Sequence, residues 1–435
     1  MFPDLVNTSL KNKLFSYLIA IFPISFIAGN LIINLNILLL LLGCLFFFGA
    51  EIFEFKIKKI DKLIVLVFLY IFIVGIFNNL ELHFFSENTN KDFTVLKKSF
   101  LYLRYLLLYL VIRFLIEKKI INLKLFFLIS LLCSLFVCLD LFYQFKFGRD
   151  IFGFEQIGRK FPGPFGDEAI AGGYLQRFSI IGMFFIYLFS SLKFKKNYIL
   201  IFLLFFIFLI GIVISGNRMP LILFLLSIFL VLIFDHKLRK HIITIFFVAL
   251  VTIFLLTKIS PVINQNLSNF VKQITWSYKY LSLPEEIKKT KKLYPRYLYE
   301  FSTFYETWKM NKFLGGGIKS FRKNCINRDN VIEKWRHVSC NIHPHNYYLE
   351  IFTELGLFGF FLIFFFLYKL IFAKIKENNY FTLDNKSNLY LAPFLIILIT
   401  EMFPLRSSGS FFTTNNSAFM FLVIAIVVSL MKKKY

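Results

Sequence analysis

The sequence predicts an all-α polytopic membrane protein with about 12 transmembrane helices and one large loop outside the cytoplasm. Hydrophobic residues make up 58% of the 435 positions, and 62 residues are phenylalanine. Apolar runs long enough to cross a bilayer core of about 30 Å recur along the chain. The first two runs are also consistent with one helical hairpin that dips into the membrane. The twelve runs lie at 14–29, 31–49, 63–79, 99–115, 122–143, 169–192, 197–214, 219–235, 241–259, 346–368, 388–404 and 411–431.

The distribution of charge predicts the topology. Fifty Lys and Arg against 25 Asp and Glu give a net charge of +25, which taken alone is typical of nucleic-acid binding. With a cytoplasmic N-terminus, however, the inner segments hold 23 basic residues and the short outer loops nine. This asymmetry follows the positive-inside rule and indicates a membrane protein with both termini in the cytoplasm. It predicts a bundle of about nine helices at 1–259, an external loop at 260–345 and about three helices at 346–435.

Two of the five cysteines lie in the predicted external loop. Cys325 and Cys340 are in a compartment where an oxidising environment favours a disulfide. The alternative is a pair of unpaired thiols. Cys44, Cys133 and Cys138 lie in apolar segments, where a cysteine acts as a small hydrophobic residue.

Ionisable residues inside the apolar runs point to a functional site. Charged side chains in membrane spans are costly and usually functional. In the predicted topology they all fall toward the outer surface, and none lies near the cytoplasmic end of a span. Snorkelling is an alternative explanation for the isolated residues Arg104 and Arg406. A cationic cleft at the outer surface suits a phosphate group, for which arginine is the fitting partner. The residues are Arg104, Asp140, Arg177, Arg218, Glu401 and Arg406.

Three further segments are expected to line this cleft. The turn at 215–220 presents Arg218 at the outer interface. The Gly/Pro-rich segment 158–173, which contains Arg159, has an irregular backbone that needs protein or water around it at membrane depth. The segment 294–317 combines Arg296 with an aromatic stripe and three consecutive glycines, a pattern that predicts an amphipathic helix on the membrane interface followed by a tight turn. An alternative is a lid helix whose Arg296 is merely solvated.

A histidine-containing segment follows the external loop. His343-Pro-His345-Asn346 leads into an apolar helix that carries Gly356 and Gly359. An imidazole at the membrane surface accepts a proton near neutral pH, and glycines at helical spacing let another helix approach. The alternative is an ordinary helix start with Asn346 as its cap. The sequence lacks a phosphate-binding P-loop and a serine nucleophile elbow, and two histidines without further ligands make a poor zinc site, so no metal and no cofactor are expected.

These residues resemble the O-antigen ligase and O-antigen polymerase superfamily of bacterial membrane glycosyltransferases. The ligase signature is His, then Asn, Ser or Gln, nine residues, Gly, two residues, and Gly, Thr or Tyr, which the segment beginning at His345 satisfies. Arg218 and Arg296 resemble the two essential arginines of the family, and 164–168 is also similar to family members. The resemblance covers about 155–365. It implies a metal-independent enzyme of the bacterial inner membrane whose active site faces the periplasm, and it makes 260–345 a periplasmic loop.

The resemblance also implies substrates and residue roles. The donor is a glycan linked to undecaprenyl diphosphate, and the acceptor is lipid A-core or another glycan or protein, with membrane lipid around both. His345 is the expected base, and Arg218 and Arg296 the expected diphosphate clamp. Substrate contacts are expected from Asn346, Arg159, Arg177, Tyr347 and Glu350, and structural roles from Gly356, Gly359, Cys325 and Cys340.

Three alternative functions remain open. A polymerase or a protein O-oligosaccharyltransferase of the same superfamily differs only in its acceptor. A lipid-linked glycan transporter predicts ionisable residues near the middle of the membrane and internal repeat symmetry, neither of which the sequence indicates. A sensor or scaffold leaves the histidine and arginine motifs unexplained.

Overall fold

The computed structural model describes residues 9–84, 93–190, 194–235, 238–284, 295–328, 340, 343–377, 383, 386–406 and 409–431. The regular secondary structure of these residues is helical, apart from two isolated antiparallel bridges within 149–160. The helices are α1 (Leu10–Ala20), α2 (Phe22–Ala28), α3 (Asn30–Phe48), α4 (Lys59–Phe84), α5 (Thr94–Tyr102), α6 (Arg104–Glu117), α7 (Leu123–Phe147), α8 (Ala171–Phe189), α9 (Phe194–Ile214), α10 (Arg218–Phe234), α11 (Ile242–Ile259), α12 (Pro261–Leu281), α13 (Arg296–Lys309), α14 (Phe321–Ile326), α15 (Tyr347–Glu377), α16 (Lys386–Glu401) and α17 (Thr414–Leu430).

Most of these helices suit a bilayer. Within the described residues, eight helical stretches are long and apolar enough to cross a membrane. The pair α1 and α2 meets the same test as one bent unit, with a bend of 41°, and α10, α16 and α17 are shorter apolar helices. The protein is therefore an all-helical, polytopic membrane protein. The helices coincide in position with the twelve predicted runs, and the number of spans stays a prediction.

The core of the bundle is built around α17. Every residue of this helix from Ser417 to Val428 is buried, and it packs against α3, α6 and α16. A helix that is hydrophobic all round is stable only when it is surrounded by other apolar groups. The outer helices differ in this respect, because α11 buries only Ala249 and leaves Phe247 64% exposed. Such a surface is suited to lipid.

A buried ion pair corrects one expectation about charge. Arg113 in α6 is completely buried, and its Nε and Nη2 lie 3.0 Å from the two carboxylate oxygens of Asp61 in α4. Tyr109 also donates to Asp61. From the sequence, no charged side chain was expected near the cytoplasmic end of a span, because Arg113 was counted among the inner-segment residues. That was wrong because α6 continues through this position and the partner lies 52 residues away.

The helix that follows the histidine motif breaks at Gly356. Its φ is 65°, and an added Cβ would lie 2.1 Å from the carbonyl oxygen of Phe313. At this break Gly317 N donates to Glu354 O (2.8 Å) and Leu357 N to Lys312 O (2.9 Å). The close approach at Gly356 is therefore made by the glycine-rich turn after α13, where the sequence predicted a helix. At Gly359 the neighbour is α4, since a Cβ there would lie 2.8 Å from Tyr70 Cε1.

The long loop contains the predicted amphipathic helices. Ser260 accepts from Ile263 N (3.4 Å), and Pro261 occupies the first turn, so α12 begins directly after α11. The helix predicted after Arg296 is α13, in which Phe304 is buried and Lys309 is exposed. Further along, Cys325 and Cys340 form the predicted disulfide, with 5.6 Å between their Cα atoms.

Candidate functional site

A buried cluster of two arginines and one glutamate joins α8, α16 and the segment after α16. Arg177 donates to both carboxylate oxygens of Glu401, at 3.0 and 2.7 Å. Arg406 Nη1 lies 2.8 Å from the same carboxylate. The three side chains are at most 7% exposed, so one carboxylate balances two guanidinium groups and the cluster carries a net positive charge.

The cluster fixes the start of α15 beside it. Tyr347 is the first residue of α15, and the Arg406 guanidinium lies over its ring, 4.6 Å from the ring centroid. The Tyr347 hydroxyl is 3.4 Å from both Arg177 Nη2 and Glu401 Oε2. Arg177 also donates to Asn416 (2.7 Å) in α17. All donor groups of Arg177 that face the cluster are thus occupied by protein partners.

Asn346 caps α15. Its Oδ1 accepts from Tyr348 N (2.8 Å), and its Nδ2 donates to the carbonyls of Pro404 (2.8 Å) and Arg406 (2.9 Å). Asn346 therefore acts as a helix cap, which is the alternative that the sequence offered for this residue. The cap ties the histidine segment to the turn that carries Arg406.

His345 and His343 lie side by side before this cap, with ring centroids 5.1 Å apart and an angle of 74° between the planes. His345 is half-buried. Burial, together with the nearby His345 and Lys319, lowers the pKa of His343 to about 4. His343 is therefore uncharged at neutral pH, which leaves the neighbouring imidazole as the candidate base of the pair.

Lys319 is a site residue that sequence reasoning missed. It follows the three glycines, has a φ of 64°, and places its Nζ 2.9 Å from Ser410 Oγ and 3.8 Å from Glu350. A positive φ is uncommon for lysine and often marks a functional position. Glu350 is completely buried and also accepts from Ser410 (2.5 Å) and Phe411 N (2.5 Å). The sequence signal that could have indicated Lys319 is its position directly after the glycine-rich turn.

A second buried glutamate lies one helical turn after Glu350. Glu354 has no exposed surface, and the backbone of Lys319 interacts with its carboxyl group. Its electrostatic neighbours include Glu350 and Lys319. The turn from 315 to 319 thus lies against a pair of buried carboxyl groups, and Lys319 is the cation nearest to the first of them.

Arg218 is the first residue of α10 and stands on a tight turn. Gly216 has a φ of 72°, and an added Cβ would meet the Arg159 carbonyl at 2.7 Å. That carbonyl accepts from Asn266 Nδ2 (2.9 Å) in α12, and the Arg218 guanidinium lies 5.4 Å from the ring centroid of Phe270 in the same helix. The turn, the segment of Arg159 and α12 therefore meet at one end of the bundle.

A shallow cavity of about 470 Å³ opens beside this junction. It is lined by Arg159, Asn269, Lys272, Gln273 and Trp276. Two cations, two amides and one aromatic ring suit an anionic or sugar-bearing ligand. Arg159 lines this cavity, and its contact with substrate stays a prediction.

Arg296 is the first residue of α13, and the structure describes its backbone position. Helix α13 packs against α12, which contacts Arg218, and against α15, which begins two residues after His345. The three predicted catalytic residues therefore belong to successive neighbouring elements.

A larger apolar cavity of about 850 Å³ lies between α2, α3, α7 and the segment 152–170. Phe26, Phe136 and Phe165 are among its lining residues, and Glu168 and Asn415 add polar groups. Asn415 accepts from Arg177 Nη1 (3.3 Å), so one wall of the cavity is in contact with the arginine cluster. The Gly/Pro-rich segment that was expected to line the cleft forms another wall.

Two of the charged residues grouped by the sequence analysis differ from the rest. Arg104 lies near the cluster, where it donates to Thr414 (3.3 Å) and to Tyr105 (2.7 Å). Asp140 belongs to a separate contact, because it accepts from Ile151 N (2.8 Å) and so anchors the segment after α7. Within the ranges that the structure describes, no group of three or more His, Cys, Asp or Glu is arranged to hold a metal ion.

The fold and this site define a class: a polytopic helical membrane protein with a cationic, histidine-bearing site at one end of its bundle, next to an apolar cavity. Residues 203–364, from α9 into α15, match the family model described as O-Antigen ligase. This segment contains Arg218, Arg296 and His345, and its match supports the O-antigen ligase family and a membrane glycosyltransferase of the ligase and polymerase superfamily. No curated protein matches the chain.

Proposed function

We propose that this protein is an O-antigen ligase-like glycosyltransferase of the bacterial inner membrane. It transfers a glycan en bloc from undecaprenyl diphosphate to a sugar of lipid A-core at the periplasmic face. The observation that carries the proposal is the contact between an apolar cavity and a cationic cluster that holds the His345 segment in place. A substrate with a lipid chain and a charged group needs an apolar surface for the chain and a cationic surface for the charge, close enough together for one molecule to contact both.

The arginines act on the diphosphate. Arg218 and Arg296 clamp it and stabilise the negative charge that develops as the bond between the anomeric carbon and the diphosphate oxygen breaks. Arg159 and Lys272, on the shallow cavity beside Arg218, extend the positive surface. Because a diphosphate is a good leaving group, the transfer requires no metal or nucleotide.

His345 acts on the acceptor. Its imidazole takes the proton of the acceptor hydroxyl as the oxygen attacks the anomeric carbon, and the diphosphate leaves from the opposite face. A single displacement of this kind inverts the anomeric configuration. Because its pKa is low, the His343 imidazole is uncharged. It therefore does not repel the proton that His345 accepts.

The buried cluster supports the site from behind. Arg177, Tyr347 and Glu350 were expected to contact substrate, but their polar atoms are bonded to protein groups and their side chains are buried. We assign them, with Asn346, the role of fixing the first turn of α15. The isoprenoid chain of the donor occupies the apolar cavity whose wall includes Asn415.

The test is a transfer assay with the purified full-length protein in lipid nanodiscs, using carrier-linked glycan and lipid A-core acceptor. Arg218→Lys, Arg296→Lys and His345→Ala are each expected to lower turnover about 100-fold or more, since a lost charge-stabilising group costs about 10²–10³. His345→Ala retains carrier binding. Arg322→Lys is the matched control, because this exposed arginine lies in the short helix α14 and takes no part in the proposed site.

Two outcomes contradict the proposal. Near wild-type turnover of His345→Ala removes the role of general base, and equal turnover of the arginine variants and Arg322→Lys removes the clamp. The same assay distinguishes the related functions. Transfer to a second carrier-linked glycan identifies a polymerase, and transfer to a protein identifies an O-oligosaccharyltransferase.

A further inference from the structure

A second apolar cavity lies at the other end of the bundle. Its volume is about 410 Å³, within the range of about 300–1,000 Å³ that is usual for small-molecule sites. It is enclosed by the C-terminal halves of α8 and α10 and the first turns of α9 and α11. Its apolar lining includes Ile180, Met183, Phe202, Leu232 and Ile245.

This cavity is separate from the proposed active site. Arg177 and Tyr187 both lie on α8, ten residues or about 15 Å apart along the helix axis. Arg177 belongs to the cluster beside His345, whereas Tyr187 lines the second cavity. The chain connections nearest to the cavity are the basic ones that the positive-inside rule places in the cytoplasm.

The cavity has a polar rim. Tyr187 donates to Asp235 Oδ2 (3.1 Å), and Leu238 N donates to Oδ1 of the same carboxylate (3.2 Å), so the acidic group is satisfied by its own neighbours. Lys196 in the first turn of α9 is exposed, and so are Arg239 and Lys240 in the connection between α10 and α11. An apolar interior next to exposed cations matches the chemistry of an anionic membrane lipid.

Helix α11 is the wall that most requires a filling group. Only Ala249 of this helix is buried, and only 6% of the most apolar stretch within Arg239–Ile259 is buried inside the protein. A void beside a loosely packed helix loses dispersion contacts on both of its walls. An acyl chain from the surrounding bilayer restores those contacts and holds α11 against α9 and α10.

We propose that this cavity binds an acyl chain of an anionic glycerophospholipid from the cytoplasmic leaflet, whose phosphate lies against Lys196, Arg239 and Lys240. The inference does not depend on the proposed function, because it concerns the opposite end of the bundle and a different lipid. Binding stabilises the contact of α11 with the bundle, and thereby the position from which α12 begins.

The test measures lipid retained by the purified full-length protein by native mass spectrometry, after exchange into vesicles of phosphatidylglycerol or of phosphatidylcholine. The wild type is expected to retain phosphatidylglycerol preferentially. Ile245→Trp fills the cavity and abolishes retention, whereas Phe247→Trp, on the exposed face of the same helix, leaves it unchanged. Arg239→Gln with Lys240→Gln weakens retention about fivefold for each charge, and Lys118→Gln with Lys119→Gln, on the connection after α6, does not.

Each result decides one part of the proposal. Equal retention by Ile245→Trp and Phe247→Trp rules out the cavity as the site of the acyl chain. Equal retention of the two phospholipids, or no difference between the two double charge variants, rules out recognition of a net anionic headgroup by these cations. The thermal unfolding midpoint in lipid-free detergent shows that the variants are folded. Added phosphatidylglycerol is expected to raise this midpoint for the wild type and to leave it unchanged for Ile245→Trp.

Discussion

Glu401 is predicted to be the residue on which the stability of the site depends most. Its carboxylate is completely buried and accepts hydrogen bonds from both Arg177 and Arg406, which are 5% and 6% exposed. The substitution Glu401→Gln keeps the shape of the side chain but removes the carboxylate that the two buried guanidinium groups share. Breaking a buried ion pair by removing one partner costs about 3–5 kcal/mol, and here a single change removes the partner of two cations.

The arginine variant is predicted to be milder. In Arg177→Gln the carboxylate of Glu401 keeps Arg406 at 2.8 Å, so no charge is left uncompensated, and the loss is that of hydrogen bonds to a charged group, about 1.5–3 kcal/mol. In the double variant Arg177→Gln/Glu401→Gln one buried guanidinium group has lost the shared carboxylate, whereas in Glu401→Gln two have lost it. The double variant is therefore expected to be more stable than Glu401→Gln alone.

The assay is thermal unfolding of the purified variants in one detergent, followed by intrinsic fluorescence and by size-exclusion chromatography. The expected order of stability is wild type, Arg177→Gln, the double variant and Glu401→Gln. Arg104→Gln serves as the control, because that arginine bonds to hydroxyl and carbonyl groups of its surroundings. Additive losses in the double variant would refute the reasoning, since independent residues add and coupled ones do not.

Three further predictions concern the loop and the histidine segment. Gly356→Ala is expected to destabilise the protein by about 2 kcal/mol or more, because a positive φ costs about 1–2 kcal/mol and the new Cβ overlaps the Phe313 carbonyl; Gly173→Ala, whose Cβ meets nothing within 4 Å, is the thermal-unfolding control. Cys325→Ser opens a loop with a sequence separation of 15 and is expected to cost about 3 kcal/mol, seen as faster proteolysis of the loop; unchanged cleavage would contradict it. Because the pKa of His343 is lowered from 6.5 to about 4, the unfolded chain binds a proton first and stability falls as the pH drops from 6.5 toward 4; His343→Gln should flatten that part of a melting-temperature profile, and an unaltered profile would count against it.

Local sequence patterns were sufficient for the helices. Uniformly apolar runs have few alternatives in a bilayer, because a helix satisfies every backbone group within a single segment. The apolar helices lie where these runs predicted them. The helix after Arg296 followed from its aromatic stripe, and the disulfide followed from two cysteines in one loop. Asn346 likewise carries a local signal, since its side chain bonds to the backbone two and three residues further on.

The partners of the buried charges required the tertiary structure. Arg177 and Glu401 are 224 residues apart, and Asp61 and Arg113 are 52 apart. Hydropathy indicates only that each charged side chain is costly to bury, and it does not identify the group that compensates the charge. The same holds for Lys319 and for the break at Gly356, whose carbonyl neighbour belongs to the turn after another helix. The sequence determined by itself that charges lie within the bundle. Only the packing of distant helices decided which of them neutralise each other, because electrostatic compensation depends on distance in space.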